Sequence, residues 1–269
     1  MTTRIRVCLA GATGWVGRGL APAIAQAPDL ELSGAVCRSQ AGRPLAEALG
    51  DASLPSLIVR GAVSEALADG ADVFVDYTSA SAVRAHVAEA IARGVHVVVG
   101  SSGLSDEEYA GIDRAARERG VGVLAAGNFA LTAVLLQRFA EIAARQIPQW
   151  EIIDYAGAKK PDAPSGTARE LGARLSGVRP PEIGVPVEKT LGAPEARGAS
   201  LGGTRAHSVR LPGFVSSIEV LFGLSGERLT IRHDSSSSPE PYIGGTLLAI
   251  RRVSSFTGLR RGLDSVMEL

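Results

Sequence analysis

The residues of this chain best suited to chemistry lie in one stretch, Lys159-Lys160-Pro161-Asp162-Ala163-Pro164-Ser165-Gly166-Thr167. An ammonium group is a cation that can also give up its proton, which a guanidinium cannot do in a protein. Of the 28 basic residues only Lys159, Lys160 and Lys189 are lysine, so two of the three fall here. Pro161 and Pro164 fix φ and stiffen the loop. Ser165-Gly166-Thr167 opens the helical pattern that ends near Leu175. The first amides of a helix lack intrahelical partners, and the helix dipole adds partial positive charge there. Such an end binds a phosphate or a carboxylate. The plainer alternative is that Thr167 and Glu170 form a T-x-x-E capping box and nothing more.

The elements around this stretch decide between the two. Ile5 to Ala10 reads as a buried parallel strand, followed by Gly11-Ala12-Thr13-Gly14-Trp15-Val16-Gly17 and an apolar helical run. Glycines between a strand and a helix let the backbone approach a pyrophosphate, so this turn predicts a dinucleotide site. The next strand, Leu30 to Val36, leaves at Cys37-Arg38-Ser39. An NAD-specific site carries an acid about 20 residues past the glycines. None stands here, and Arg38 with Ser39 suits a 2′-phosphate instead. The expected cofactor is therefore NADPH, with NADH as the other candidate.

Strand–helix alternation continues through Leu57–Val59, Asp72–Tyr77, a helix from Ala80 to Arg93, Val95–Val99, a helix opened by Ser105 and Val121–Ala125. This rhythm predicts a Rossmann-type parallel sheet that binds ligands at the strands' carboxyl ends. Thr78, the Gly100-Ser101-Ser102-Gly103 turn and Ala126-Gly127-Asn128-Phe129 all fall on that edge. Beyond a bridging helix from Leu131 to Arg145 the chain changes character. Val178 to Gly203 reads as a surface excursion; then Thr204–Leu211, Val215–Phe222 and Arg228–His233 alternate with period two. With Trp150–Tyr155 they predict a C-terminal α+β domain with an open mixed or antiparallel sheet. Tyr242 to Arg252 reads as a final helix. The expected domains are 1–129, with 242–269 packing back on it, and 130–241.

Composition narrows the partners. A formal net charge of zero argues against nucleic acid and against an anionic membrane. No apolar run approaches the ~20 residues needed to span a bilayer. The first residues lack a signal peptide's apolar core, so the expected location is cytoplasmic. Cys8 and Cys37 read as buried free thiols. None of the four histidines has a compelling site, and no spacing predicts a metal.

With these residues in place, the chain resembles the dihydrodipicolinate reductase family over nearly its whole length. The N-terminal glycine turn, Asp76-Tyr77-Thr78, Gly100 to Gly103, Gly127-Asn128-Phe129, Lys160 to Thr167, His207 to Leu211 and Leu229 to His233 carry the resemblance. It implies hydride transfer from NAD(P)H to a cyclic unsaturated dicarboxylate, a small anionic substrate, within a homotetramer built on the second domain's sheet. It implies that Gly11, Ala12, Thr13, Gly14, Trp15 and Val16 cradle the pyrophosphate and that Arg38 meets the adenosine ribose. Gly100, Ser101, Ser102, Ala126, Gly127, Asn128 and Phe129 would line the nicotinamide side. Gly166 and Thr167 would bind a substrate carboxylate, with Lys160 as proton donor. Lys159, if its side chain approaches Lys160, should favour the neutral amine there.

One pair departs from the pattern. The family's loop carries two histidines just before the lysine; here Ala156 and Gly157 stand at those positions. Three functions fit the residues: the family's reduction, a same-fold reductase of another imine, a keto acid or a flavin, and a dinucleotide-binding sensor without chemistry. Lys160 and the Gly166-Thr167 end favour the two enzymes, because a nucleotide sensor needs neither.

Overall fold

A computed structural model describes residues 4–268. In chain order its elements are β1 Ile5–Ala10, α1 Gly17–Gln26, β2 Leu30–Val36, α2 Leu45–Leu49, α3 Val63–Ala66, β3 Val73–Asp76, α4 Val83–Ala92, β4 His96–Val99, α5 Asp106–Arg119 and β5 Gly122–Ala125. There follow α6 Leu131–Gln146, β6 Gln149–Ala156, α7 Gly166–Val178, β7 Ala199–Leu201, β8 Thr204–Arg210, β9 Ser216–Leu224, β10 Glu227–Ser235, α8 Glu240–Arg252 and β11 Gly258–Arg261. They form two units: the chain through Leu131 together with Pro239 onward, and Thr132–Ser238. Among the described residues no helix is long and apolar enough to cross a membrane.

The first unit holds a six-stranded sheet of order β11-β5-β4-β3-β1-β2, parallel throughout. Strands such as Val73-Phe74-Val75-Asp76 and Gly122-Val123-Leu124-Ala125 are buried at every position, as a sheet covered on both faces requires. The order reverses at β1, which pairs with β2 on one side and β3 on the other. A doubly wound sheet opens its ligand crevice at such a switch point. Helix α5 starts where expected, with Ser105 and Glu108 completing a capping box.

Four local expectations change. Leu57–Val59 is not a strand; isolated bridges join Ile58 to Pro44 and Arg60 to Val36. The run is confined between Pro55 and Gly61, with Ile58 exposed and Val59 buried, and single bridges take the place of a continuous ladder. Helix α4 begins at Val83 rather than Ala80, because Ser79 to Ala82 close a turn in which both Ala82 N and Val83 N donate to Ser79 O at 3.0 Å. The final helix is followed by β11, which extends the parallel sheet beside β5. With two arginines in its four residues, Gly258-Leu259-Arg260-Arg261 lacks the apolar run of the other parallel strands. Cys8 is buried, but Cys37 is only half-buried.

The second unit is a five-stranded mixed sheet of order β10-β9-β6-β8-β7, in which only β6 and β8 run parallel. In β6 the buried positions are Trp150, Ile152, Asp154 and Ala156, every second residue. The core beneath them includes Leu136 and Ala140 from α6, Leu171 and Leu175 from α7, and Phe222 from β9. The excursion from Val178 to Gly203 contains short 3-10 turns and ends in the edge strand β7.

Candidate active site

In the first unit the glycine turn is packed against the end of β3. Gly11 has φ +79°, and a Cβ there would lie 2.2 Å from Tyr77 O. A Cβ on Gly17 would lie 2.1 Å from Gly11 O. Gly14 N donates to Gly11 O at 2.8 Å, closing the turn that feeds α1. The backbone is thus bare at this turn, and the residues fit a bound dinucleotide whose pyrophosphate needs such an approach. Gly11→Ala is expected to weaken NADPH binding by at least about tenfold, since the methyl must displace backbone in a left-handed turn. An unchanged NADPH titration would refute the packing described.

An open cavity of about 750 Å³ adjoins this turn. It brings together Gly11, Thr13, Gly14, Arg38, Ser39 and Thr78, six of the positions singled out from sequence. Arg38 and Ser39 form a 3-10 turn directly after β2. Cys37 also lines the cavity; its thiol accepts from Thr13 Oγ1 at 3.0 Å and lies 3.4 Å from Ser39 Oγ. Burial pushes that thiol upward, but the bonds from Ser39 and Thr13 outweigh it and hold the group below the ordinary range. Ala12 is buried in the turn, while Trp15 is exposed and meets the Tyr242 ring edge-on at 5.6 Å. Val16 caps α1 without a side-chain bond.

The nicotinamide-side candidates lie on neighbouring strand ends. Gly100 follows β4, and a Cβ there would meet the Tyr77 ring at 2.3 Å. Ser101 Oγ donates to Asp76 Oδ1 at 2.6 Å. Ser102 and Gly127 are exposed, Ala126 and Asn128 half-buried, and Phe129 buried against Tyr77, ring centroids 5.9 Å apart. Asn128 Oδ1 accepts from Ala130 N at 2.8 Å, fixing that turn.

Sequence reasoning missed the group that ties these turns together. Asp76 is fully buried at the end of β3. Its carboxylate accepts from Thr78 N and Thr78 Oγ1, from Ser101 Oγ and from His86 Nδ1, the last at 2.8 Å. Burial alone would raise its pKa; the bonds from His86, Ser101 and Thr78 win and hold it below the carboxylate range. His86, one of the four histidines without a compelling site in the sequence, thus has a buried carboxylate partner.

In the second unit the stretch from Lys159 to Thr167 leads into α7. Ser165, not Thr167, caps α7: its hydroxyl accepts from Ala168 N at 3.2 Å. Glu170 faces Arg174 at 3.5 Å, and the T-x-x-E capping box does not form. The first helical bond runs from Arg169 N to Ser165 O. The Gly166 and Thr167 amides precede it at the open end of the helix, Gly166 exposed and Thr167 half-buried. Lys159 and Lys160 are both exposed on the loop before it. The Asp162 carboxylate faces Lys160 Nζ at 2.8 Å. That bond holds Asp162 below the ordinary carboxylate range.

A second missed carboxylate anchors this platform. Asp154 occupies the buried phase of β6, where an apolar residue belongs. It accepts from Ser165 N at 2.8 Å, Arg210 Nη2 at 2.7 Å and Ser208 Oγ at 3.2 Å. Arg210 Nη2 also donates to Asp162 O at 2.7 Å, so one guanidinium joins β6, β8 and the loop. The phase could have shown it: Asp154 falls two residues after Ile152 and four after Trp150.

At the departing pair, Ala156 is 1% exposed. A Cβ on Gly157 would lie 3.3 Å from Phe214 O. The loop then turns, Lys160 N donating to Gly157 O at 3.0 Å.

Comparison with known proteins finds relatives over the whole chain. Residues 5–129 match the family model of the dihydrodipicolinate reductase N-terminus, and 132–267 that of the C-terminus. The 4-hydroxy-tetrahydrodipicolinate reductase of Moorella thermoacetica is 38% identical, with all of both chains covered. That of Symbiobacterium thermophilum is 42% identical over 93% of this chain and 92% of its own. Among solved structures, a dipicolinate-bound dihydrodipicolinate reductase from Paenisporosarcina superposes with a TM-score of 0.88 at 30% identity, covering 98% of this chain and 100% of that one. The chain belongs to the dihydrodipicolinate reductase family and is an NAD(P)H-dependent oxidoreductase of that type.

Proposed function

We propose that this enzyme reduces 4-hydroxy-tetrahydrodipicolinate to tetrahydrodipicolinate, consuming one NADPH and one proton and releasing water. The observation that carries the proposal is the open end of α7, with the Gly166 and Thr167 amides beside Lys160 on a loop locked by Asp154 and Arg210. Gly166, Thr167 and Lys159 hold a substrate carboxylate. Bound NADPH supplies the hydride. Lys160 delivers the accompanying proton, and the Asp162 carboxylate keeps its ammonium oriented on the loop. In the first unit Gly11 to Val16 take the pyrophosphate, Arg38 and Ser39 the 2′-phosphate, and Thr78, Gly100 to Ser102 and Ala126 to Phe129 shape the rest of the cofactor's bed. The first unit is thus the dinucleotide-binding domain and the second the substrate-binding and assembly domain.

One observation favours a second acceptor class. With Ala156 and Gly157 in place of two histidines, the loop has lost an acid/base group worth ~10²–10⁴ in rate. The same fold and cofactor would then serve another imine, a keto acid or a flavin better. The deciding assay follows NADPH oxidation with freshly generated 4-hydroxy-tetrahydrodipicolinate beside a panel of those acceptors. Highest kcat/KM on the dicarboxylate supports the proposal; highest kcat/KM on a flavin or keto acid replaces it.

Arg38→Asp is expected to raise the KM for NADPH by about tenfold or more and to leave NADH the better substrate, since a charge-assisted pair is lost and a repulsion gained. Unchanged NADPH/NADH preference would reject the 2′-phosphate assignment. For assembly we propose a homotetramer formed through the second unit's sheet, supported by the exposed Leu224 and Leu229 on β9 and β10. A cytoplasmic location accords with the free thiols Cys8 and Cys37.

A further inference from the structure

We propose that His86 is an additional cofactor-binding residue, its ring aimed by the buried Asp76 carboxylate so that Nε2 takes a hydrogen bond from the adenosine half of the dinucleotide. This rests on the cavity beside the glycine turn being the cofactor's. His86 lines that cavity with Gly11, Thr13, Arg38 and Thr78. Its neighbours on α4, Val83, Val87 and Ala90, are buried core. The ring stays 23% exposed.

Two contacts fix the ring. Nδ1 lies 2.8 Å from Asp76 Oδ2, and Phe74 meets the ring at 87° with centroids 6.4 Å apart. Asp76 is an ionised acceptor already holding Thr78 and Ser101, so the proton between it and His86 sits on Nδ1. Nε2 is then the ring's second nitrogen, and in the neutral imidazole it carries the lone pair. Ribose hydroxyls and the adenine amine are donors; the phosphates are not. Arg38 and Ser39 line the same cavity, whereas the Gly100 to Ser102 and Ala126 to Phe129 turns do not, which points to the adenosine end. Arg38 has no acceptor atom, so His86 supplies what the arginine cannot.

A histidine that merely satisfied Asp76 would be replaced by any Nδ1-like donor, and two amides separate the cases. Asparagine places its amide near Nδ1 and can still bond Asp76; glutamine places its amide near Nε2. Calorimetric titration of the full chain with adenosine 2′,5′-bisphosphate, and the KM and kcat for NADPH, are the measurements. His86→Ala and His86→Asn are expected to weaken the bisphosphate and raise the NADPH KM by about tenfold, with kcat at saturating NADPH within about twofold. His86→Gln is expected to recover most of the loss. Circular dichroism confirms folding, and His86→Phe, which keeps the packing on Phe74, stands in if alanine does not fold. Full recovery with asparagine but not glutamine overturns the inference, as does undiminished binding by the asparagine and phenylalanine variants while Arg38→Ala weakens it. A wild-type chain that fails to bind the bisphosphate overturns both this inference and the cofactor assignment.

Discussion

Lys160→Ala lowers kcat for 4-hydroxy-tetrahydrodipicolinate by about 10²–10⁴, the range expected when a positioned proton donor is removed. NADPH titrations of the variant are expected to match wild type, because Lys160 is not among the residues proposed to hold the cofactor. A loss of charge alone would give part of the same result, so Lys160→Arg is the necessary companion. Arginine restores the cation and a partner for Asp162 but cannot give up a proton. Dipicolinate binding is therefore recovered in the arginine variant while kcat stays low. Recovery of kcat with arginine would make Lys160 an electrostatic anchor only. Turnover unchanged by Lys160→Ala would pass the proton to another group, for which Lys159 on the same loop is the candidate.

Asp154→Asn is expected to destabilise the second unit by about 3 kcal/mol, the lower end for breaking a buried pair, since Arg210 retains some exposure. The Asp154 carboxylate receives bonds from a backbone amide, a hydroxyl and the guanidinium; an amide oxygen replaces them poorly and leaves the charge uncompensated. Urea unfolding followed by Trp150 fluorescence in a Trp15→Phe background reads this unit, because Trp150 is buried in its core. Burial pushes the Asp154 pKa up, but Arg210 and Ser165 outweigh it and hold it below the usual value. A depressed carboxylate contributes stability above its unfolded pKa, about 3.9, and loses it as pH falls through the folded value. The gap between wild type and variant should therefore be full at neutral pH and close only in acid. A gap independent of pH down to about 2 would show that ionisation of Asp154 plays no part. Loosening this anchor also frees Ser165, so dipicolinate affinity should fall with stability.

The sequence made the sheet of the first unit legible because parallel strands buried on both faces leave unbroken apolar runs. The three period-two strands of the second unit were legible for the complementary reason: one covered face. The glycine turn and the Lys160 to Thr167 stretch announce themselves because close backbone approach and helix opening each demand particular residues. Strand β11 escaped notice because its stability comes from pairing with β5, to which two arginine side chains give no clue. Ser165 took the cap from Thr167 because its amide is held by Asp154, a tertiary contact no local pattern carries. Asp76 and Asp154 escaped for one shared reason. A carboxylate in a strand reads as solvated until the donors from distant elements are known, although at Asp154 the alternation of β6 already marks a buried position. His86 followed Asp76 into obscurity, since an isolated histidine on a helix has no spacing to betray it.

The most direct measurement is the fate of the hydride. NADPH carrying two deuteriums at nicotinamide C4 is oxidised with 4-hydroxy-tetrahydrodipicolinate as acceptor, and the product is weighed by mass spectrometry. One deuterium in tetrahydrodipicolinate, formed about 10²–10⁴ more slowly by Lys160→Ala, is the predicted result. Oxidation of the labelled cofactor with no deuterium in the dicarboxylate would contradict the account, leaving a chain that binds NADPH but passes its electrons elsewhere.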